Sequence, residues 1–160
     1  MRQIATLFGI GHLKPAPGTW GSAASLILGL IAHLIGGFPL LALLTLAATL
    51  LGFWSVAQIV GAGHDDPSEI VIDEMAGQLL ALWPLSFGLW HAGFDTSVII
   101  SAWPGWVGAF LLFRLFDIWK PFPVSRADNL PGALGVMLDD LVAGGIAALI
   151  IAIGARLAHG

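Results

Sequence analysis

Two stretches of this chain set adjacent carboxylates beside its most apolar segments: SEIVIDEMAG (Ser68 to Gly77) and GVMLDDLVAG (Gly135 to Gly144). Asp73 with Glu74, and Asp139 with Asp140, offer oxygen donors only, and oxygen without sulfur suits a hard cation, Mg2+ above all. The first pair belongs to a denser run, HDDPSEIVIDE, with Asp65, Asp66 and Glu69. Pro67 and Ser68 read as a helix start with acids in its first turn. Glu69 and Asp73, four residues apart, then share a helix face and repel, which calls for something positive between them. Asp139 and Asp140 begin the last apolar helix and have no basic residue within ten positions. A single acidic pair could simply cap a helix N-terminus. Two pairs beside phosphate-binding residue types favour a cation site with Asp73, Glu74, Asp139, Asp140 and Glu69 as ligands. DEMAG and DDLVAG share an order of acid, acid, apolar, then Ala-Gly. Their small residues (Ala76, Gly77, Ala143, Gly144 and Gly145) allow helices to approach closely and would bring the two acidic pairs together.

Two other stretches carry residues suited to phosphate. GIGHLKPAPGTWGS (Gly9 to Ser22) is rich in Gly and Pro and holds His12, Lys14 and Thr19. Glycines let backbone N–H groups reach an anion, and a helix N-terminus is expected at Ser22. Lys14 supplies charge and Thr19 a hydroxyl. The Gly-Lys-Ser/Thr order of a P-loop is absent, and a plain turn into the first helix fits the stretch equally well. FRLFDIWKPFP (Phe113 to Pro123) spaces Arg114, Asp117 and Lys120 by three, one polar stripe on a helix that the prolines end. Arg and Lys are common partners of phosphate. The alternative is snorkelling at the end of a span, with a local ion pair.

These groups have to be positioned by a chain of 160 residues that is 58% hydrophobic and only 10% charged. A soluble domain carries about 25% charged residues. The composition predicts an all-α, integral membrane helical bundle, read as a single domain over residues 1–160. Net charge is −4, with no basic patch for nucleic acid, and there is no cysteine for a disulfide, thiolate ligand or nucleophile. A cleaved signal peptide is a poor reading of the N-terminus, because Lys14, Pro15 and Pro17 directly follow its short apolar run.

Gly21 to Gly63 contains no Asp, Glu, Lys or Arg. It is long enough for two short spans, expected near Ser22–Ile35 and Pro39–Val60 with IGGFP as the turn. Met75 to Phe113 holds one acid, Asp95, and reads as a second hairpin, Glu74–Leu89 and Val98–Phe116, with kinks at Pro84 and Pro104. Leu141–Ala155 is the last span. Two spans then separate each polar cluster (Gly9–Ser22, His64–Glu74, Arg114–Asp140) from the next, so all three emerge on one side. Arg2, Lys14, Arg114, Lys120 and Arg126 make that side the cytoplasmic one, with Arg156 opposite. His33, His91 and His159 read as structural or interfacial histidines, and Asp95 as part of the far-side turn.

In this order, GIGHLKPAPGTWGS, IVIDEMAG, FRLFDIWKPFP and GALGVMLDDLVAG resemble bacterial phosphatidylglycerophosphatase A. The blocks cover about a third of the chain, and their spacing covers nearly all of it. The resemblance implies an all-helical protein of the bacterial inner membrane. It also implies Mg2+-dependent removal of the terminal phosphate from phosphatidylglycerol phosphate, within phospholipid synthesis. Asp73, Glu74, Asp139 and Asp140 would then hold one or two Mg2+ ions, and Lys14, Arg114 and Lys120 would clamp the phosphate. Thr19 or loop N–H groups would help, and His12 could protonate the leaving group. The attacking group is either a water activated by a carboxylate or an Asp, such as Asp139 or Asp117, that forms an aspartyl phosphate. A transporter is the rival from another class, but it would need polar residues near mid-span, and Gln58 and Gln78 are among the few. A different Mg2+-dependent lipid phosphotransferase, of the CDP-alcohol type, would need a multi-Asp motif inside one helix, which is absent.

Overall fold

Gly37 sets the plan of the molecule. In the computed structural model, which describes residues 1–61 and 67–159, the chain opens with a short helix α1 (Arg2–Ala5) and a 3-10 turn (Leu7–His12). The long apolar run follows as α2 (Pro17–Ala57). It breaks at Gly37, where φ is +63° and ψ −158°, a conformation that glycine enters freely and other residues do not. Pro39 has no N–H to return to the carbonyl of Ile35. The chain therefore turns at IGGFP, as the sequence predicts. A Cβ on Gly21 would lie 2.9 Å from Val71, and one on Gly52 would lie 3.7 Å from Ile72, so both outer ends of α2 meet the same segment.

α2 begins at Pro17, not at Ser22. Pro at the first helical position loses no hydrogen bond, because that N–H has no partner within the helix. Thr19 and Ser22 are thus helical residues rather than loop residues. The second expected hairpin is more broken than its sequence suggests. Its first arm is α3 (Ile72–Ala81) and α4 (Trp83–His91), and its second is α5 (Thr96–Ser101) and α6 (Trp103–Trp119). Pro84 and Pro104 sit in the first turns of α4 and α6, and each breaks the ladder one residue or so earlier. Between the arms, Asp95 caps α5, accepting hydrogen bonds from Ser97 Oγ at 2.7 Å and Val98 N at 3.0 Å. The Ser97 bond, with that from Val98, holds the Asp95 carboxyl below its ordinary range. After α7 (Val124–Asp128) the chain ends in α8 (Ala133–His159).

Five full-length apolar helices are therefore not what forms. Among the described residues, two helices are long and apolar enough to cross a membrane, α2 and α8. Only 22% of the most apolar stretch of α2 and 39% of that of α8 is buried. Ile27, Ile35, Leu43, Leu50, Leu149 and Ile153 face outward instead. Exposed apolar surface on that scale suggests a membrane protein.

α3 packs chiefly between α2 and α8. Its contact with α8 depends on the repeated Ala-Gly: Ala76 and Ala143 are fully buried, and the helices touch backbone to backbone at Gly77 and Gly144. A Cβ on Gly144 would fall 2.3 Å from the Gly77 carbonyl oxygen, and one on Gly77 would fall 2.5 Å from that of Asp140. Gly144→Val is expected to force the helices apart at a cost of about 1–3 kcal/mol. Thermal unfolding in detergent would register this as a lower Tm. Gly145→Ala, which meets open space within α8, is the control and should keep or raise Tm, since alanine is the better helix former. Equal Tm values for the two variants would refute the close approach.

Candidate functional site

The close approach of α3 and α8 has a direct consequence for the acids. Asp73 and Glu74 lie in the first turn of α3. Asp140 comes from α8, and one oxygen of each of the three carboxylates lies within 4.8 Å of the others. Asp73 and Asp140 are buried, and Glu74 nearly so. α8 starts at Ala133, well before the position expected, so Asp139 and Asp140 stand in its second turn and its first turn holds no acid. Capping of a helix N-terminus therefore does not account for them.

α6 supplies the cation. Arg114 pairs with Asp117 one turn on, and its Nη1 lies 3.9 Å from Glu74 Oε1. The same guanidinium reaches two hydroxyls on α2, with Nη1 3.5 Å from Ser22 Oγ and Nη2 3.4 Å from Thr19 Oγ1. Gly18 leaves room for this meeting, since a Cβ there would lie 2.1 Å from Glu74 Oε1 and 3.2 Å from Arg114 Nη1. Residues from all three polar clusters thus meet at one point.

The other predicted residues are arranged around this centre. Lys120 is not on the stripe with Arg114 and Asp117. α6 ends at Trp119, and Lys120 takes a left-handed conformation, φ +46°, ahead of Pro121. It turns instead to Asp128 and to Asp139, 2.7 Å from Oδ2. Burial would lower the Lys120 ammonium, but these two carboxylates outweigh it and hold the group above its ordinary value. Asp139 therefore faces Lys120 and lies outside the close triad. Glu69 also departs from expectation. α3 begins at Ile72, because Val71 N bonds the Ala5 carbonyl at 2.9 Å and holds residues 68–71 out of the helix. Glu69 and Asp73 thus share no helix face. Glu69 pairs with Arg2 at 3.5 Å and with His12 at 3.9 Å. His12 is tied to that exposed pair rather than to the triad. Lys14 is exposed on the loop and makes no ion pair or hydrogen bond among the described residues. Asp65 and Asp66 lie outside the described residues.

The charge balance is uneven. Asp73, Glu74, Asp117 and Asp139 all act on Asp140 electrostatically, and no basic side chain pairs with Asp140 among the described residues. Glu74 Oε2 is buried with no hydrogen-bond partner among the described residues. Buried carboxylates of one sign are costly unless a cation joins them. Three carboxylates at this spacing could hold a metal ion. Gln78 was legible only as an isolated mid-span polar residue, although its spacing of four from Glu74 marks the same helix face. Asp128 gave no local signal, since its bond to Lys120 needs the turn after α6.

A family model for phosphatidylglycerophosphatase A matches residues 3–155. The chain is 34% identical over 150 residues to phosphatidylglycerophosphatase A of Haemophilus influenzae, covering 92% of this chain and 84% of that one. It is 32% identical over 151 residues to phosphatidylglycerophosphatase A of Escherichia coli, covering 92% and 79%. A Bacteroides thetaiotaomicron protein that carries the name phosphatidylinositol-3-phosphatase is 33% identical over 157 residues, covering 94% and 90%. No solved structure matches the chain.

Proposed function

The chain belongs to the phosphatidylglycerophosphatase A family of lipid phosphatases, and from that premise we propose that it hydrolyses phosphatidylglycerol phosphate to phosphatidylglycerol and phosphate. The observation that carries this is the buried triad of Asp73, Glu74 and Asp140 set against the Arg114 guanidinium. A phosphate on a lipid stays at the interface, and this centre lies at the end of apolar helices where such a group would be. We place the chain in the bacterial cytoplasmic membrane with the centre toward the cytoplasm, since Arg2, Lys14, Arg114, Lys120 and Arg126 cluster around that end.

Asp73, Glu74 and Asp140 would hold Mg2+, a hard cation suited to carboxylate oxygens alone. Bound there, the ion supplies Lewis-acid polarisation of the phosphoryl group and offsets its charge. The remaining steps fall to the protein. Arg114, already fixed by Asp117, Ser22 and Thr19, presents its guanidinium to phosphoryl oxygens and stabilises charge in the transition state. Lys14, exposed on the loop, adds a second positive charge as the headgroup arrives. Lys120 holds Asp139 in place. Of the two candidates for attack, water fits better than an aspartate. Asp117 is committed to Arg114 and Asp139 to Lys120, and both pairs reduce nucleophilicity. A carboxylate of the cluster takes the proton as a water adds to phosphorus and the bond to the glycerol oxygen breaks. That oxygen takes its proton from interfacial water.

The Bacteroides relative's name supports a second reading, in which the phosphate is on an inositol ring. Phosphate release by the purified protein in detergent separates the two. We expect release from phosphatidylglycerol phosphate with Mg2+, none with EDTA, and a kcat/KM at least about tenfold above that for phosphatidylinositol 3-phosphate, a difference of about 1.4 kcal/mol. The reverse preference would transfer the substrate to the second reading. Release unaffected by EDTA would remove the metal from the reaction.

A further inference from the structure

Beneath the acid cluster lies a polar side chain that the mechanism does not use. Gln78 on α3 is 0% exposed, and neither Oε1 nor Nε2 of its carboxamide has a hydrogen-bond partner among the described residues. A carboxamide in such surroundings costs several kcal/mol when its bonds are unmade. Its position indicates where the bonds belong. Gln78 follows Glu74 by four residues, so the two side chains stand on one face of α3, one above the other. Side chains on a helix lean toward its N-terminus. The N-terminal turn of α3 is the one that holds Asp73 and Glu74, so the Gln78 side chain leans toward the acids. Above it, Glu74 Oε2 is also buried and unpartnered, and across on α6 so is Arg114 Nε. These polar atoms include donors and acceptors, and a buried water typically takes about three such partners.

We propose that Gln78 is a positioning residue of the cation site: its carboxamide and Glu74 Oε2 together hold a water on the deep side of the acid cluster. The water satisfies the amide, fixes the Glu74 carboxylate and lies between the cation and the apolar interior. This rests on the reading that Asp73, Glu74 and Asp140 hold a divalent cation. Groups that orient a metal's ligands typically contribute about 10–100-fold to metal affinity.

The test is Mn2+ binding to the purified protein in detergent, followed by electron paramagnetic resonance without substrate, with Tm measured on the same samples. Gln78→Met keeps the length and removes both polar atoms, and Gln78→Ala is the second variant should the first not fold. Either folded variant is expected to bind Mn2+ about tenfold more weakly or worse, and Gln78→Met, which keeps the buried volume, is expected to do so with its Tm in EDTA nearly level. A merely structural amide would give the opposite pattern, a lower Tm with unchanged Mn2+ affinity, and that result overturns the inference. Wild-type protein that binds no Mn2+ would overturn the cation site itself, and the inference with it.

Discussion

Asp140→Asn is expected to lower phosphate release by about a hundredfold or more while the protein stays folded. The chemical change is small, since Asn has nearly the same shape, but the charge it removes is one of three that converge within 4.8 Å. Loss of a single group that stabilises transition-state charge commonly costs about 10²–10³ in kcat. Asp140 is only 3% exposed and acts against Asp73, Glu74, Asp117 and Asp139, with no basic partner among the described residues. Removing one like charge from such a group relieves repulsion. The variant's Tm in EDTA should therefore equal or exceed that of the wild type. Mg2+ should raise the wild-type Tm, by linkage to binding of the folded state, and leave that of the variant unmoved. A stable, inactive protein that has lost its Mg2+ response is the expected result. Activity near wild type would remove Asp140 from the site. Inactivity with a much lower Tm would make Asp140 a structural residue instead.

The contrast with Asp139 shows how far the amino-acid pattern reaches. DEMAG and DDLVAG placed two acidic pairs beside small residues, and Gly77 and Gly144 do meet. That step was legible because close helix approach has a composition signal. The pattern did not say which acid of each pair would face the partner helix. α8 begins at Ala133, not beside the acids, and that earlier start sends Asp140 to Asp73 and Glu74 and Asp139 to Lys120. Helix boundaries were the weak link elsewhere too. Ser68 looked like a start for α3, but a backbone bond from Val71 to Ala5, far away in sequence, displaces the start to Ile72. Glu69 then leaves the acid cluster for Arg2 and His12. Lys120 fits a stripe with Arg114 until Pro121 ends the helix and swings it to Asp128 and Asp139. The chain reversals fared better, because they need only Gly37 and the turn before Asp95. The helices between them proved shorter than their apolar runs, as Pro84 and Pro104 divide them.

Arg114→Lys is expected to lower kcat/KM by about a hundredfold, although the positive charge is kept. Arg114 meets four partners from three helices: Asp117, Glu74, Ser22 and Thr19. A guanidinium can do this because its donors diverge in one plane, and it can still offer an edge to phosphoryl oxygens. An ammonium is a compact point charge with three donors. It can pair with Asp117 or reach Glu74, but it cannot hold both carboxylates and two hydroxyls of α2 at once. The lysine variant should thus keep most of the stability and lose the orientation of the phosphate. Arg114→Ala separates these effects, because it leaves Asp117 and Glu74 facing each other without a cation. Removing one partner from a buried ion pair costs about 3–5 kcal/mol, so Tm should fall sharply in the alanine variant and only slightly in the lysine variant. The activity of the lysine variant decides the role. A hundredfold loss at nearly full stability makes the geometry of the guanidinium the requirement. Wild-type turnover with lysine would reduce Arg114 to a neutralising charge and leave orientation of the phosphate to Lys14 and the start of α2.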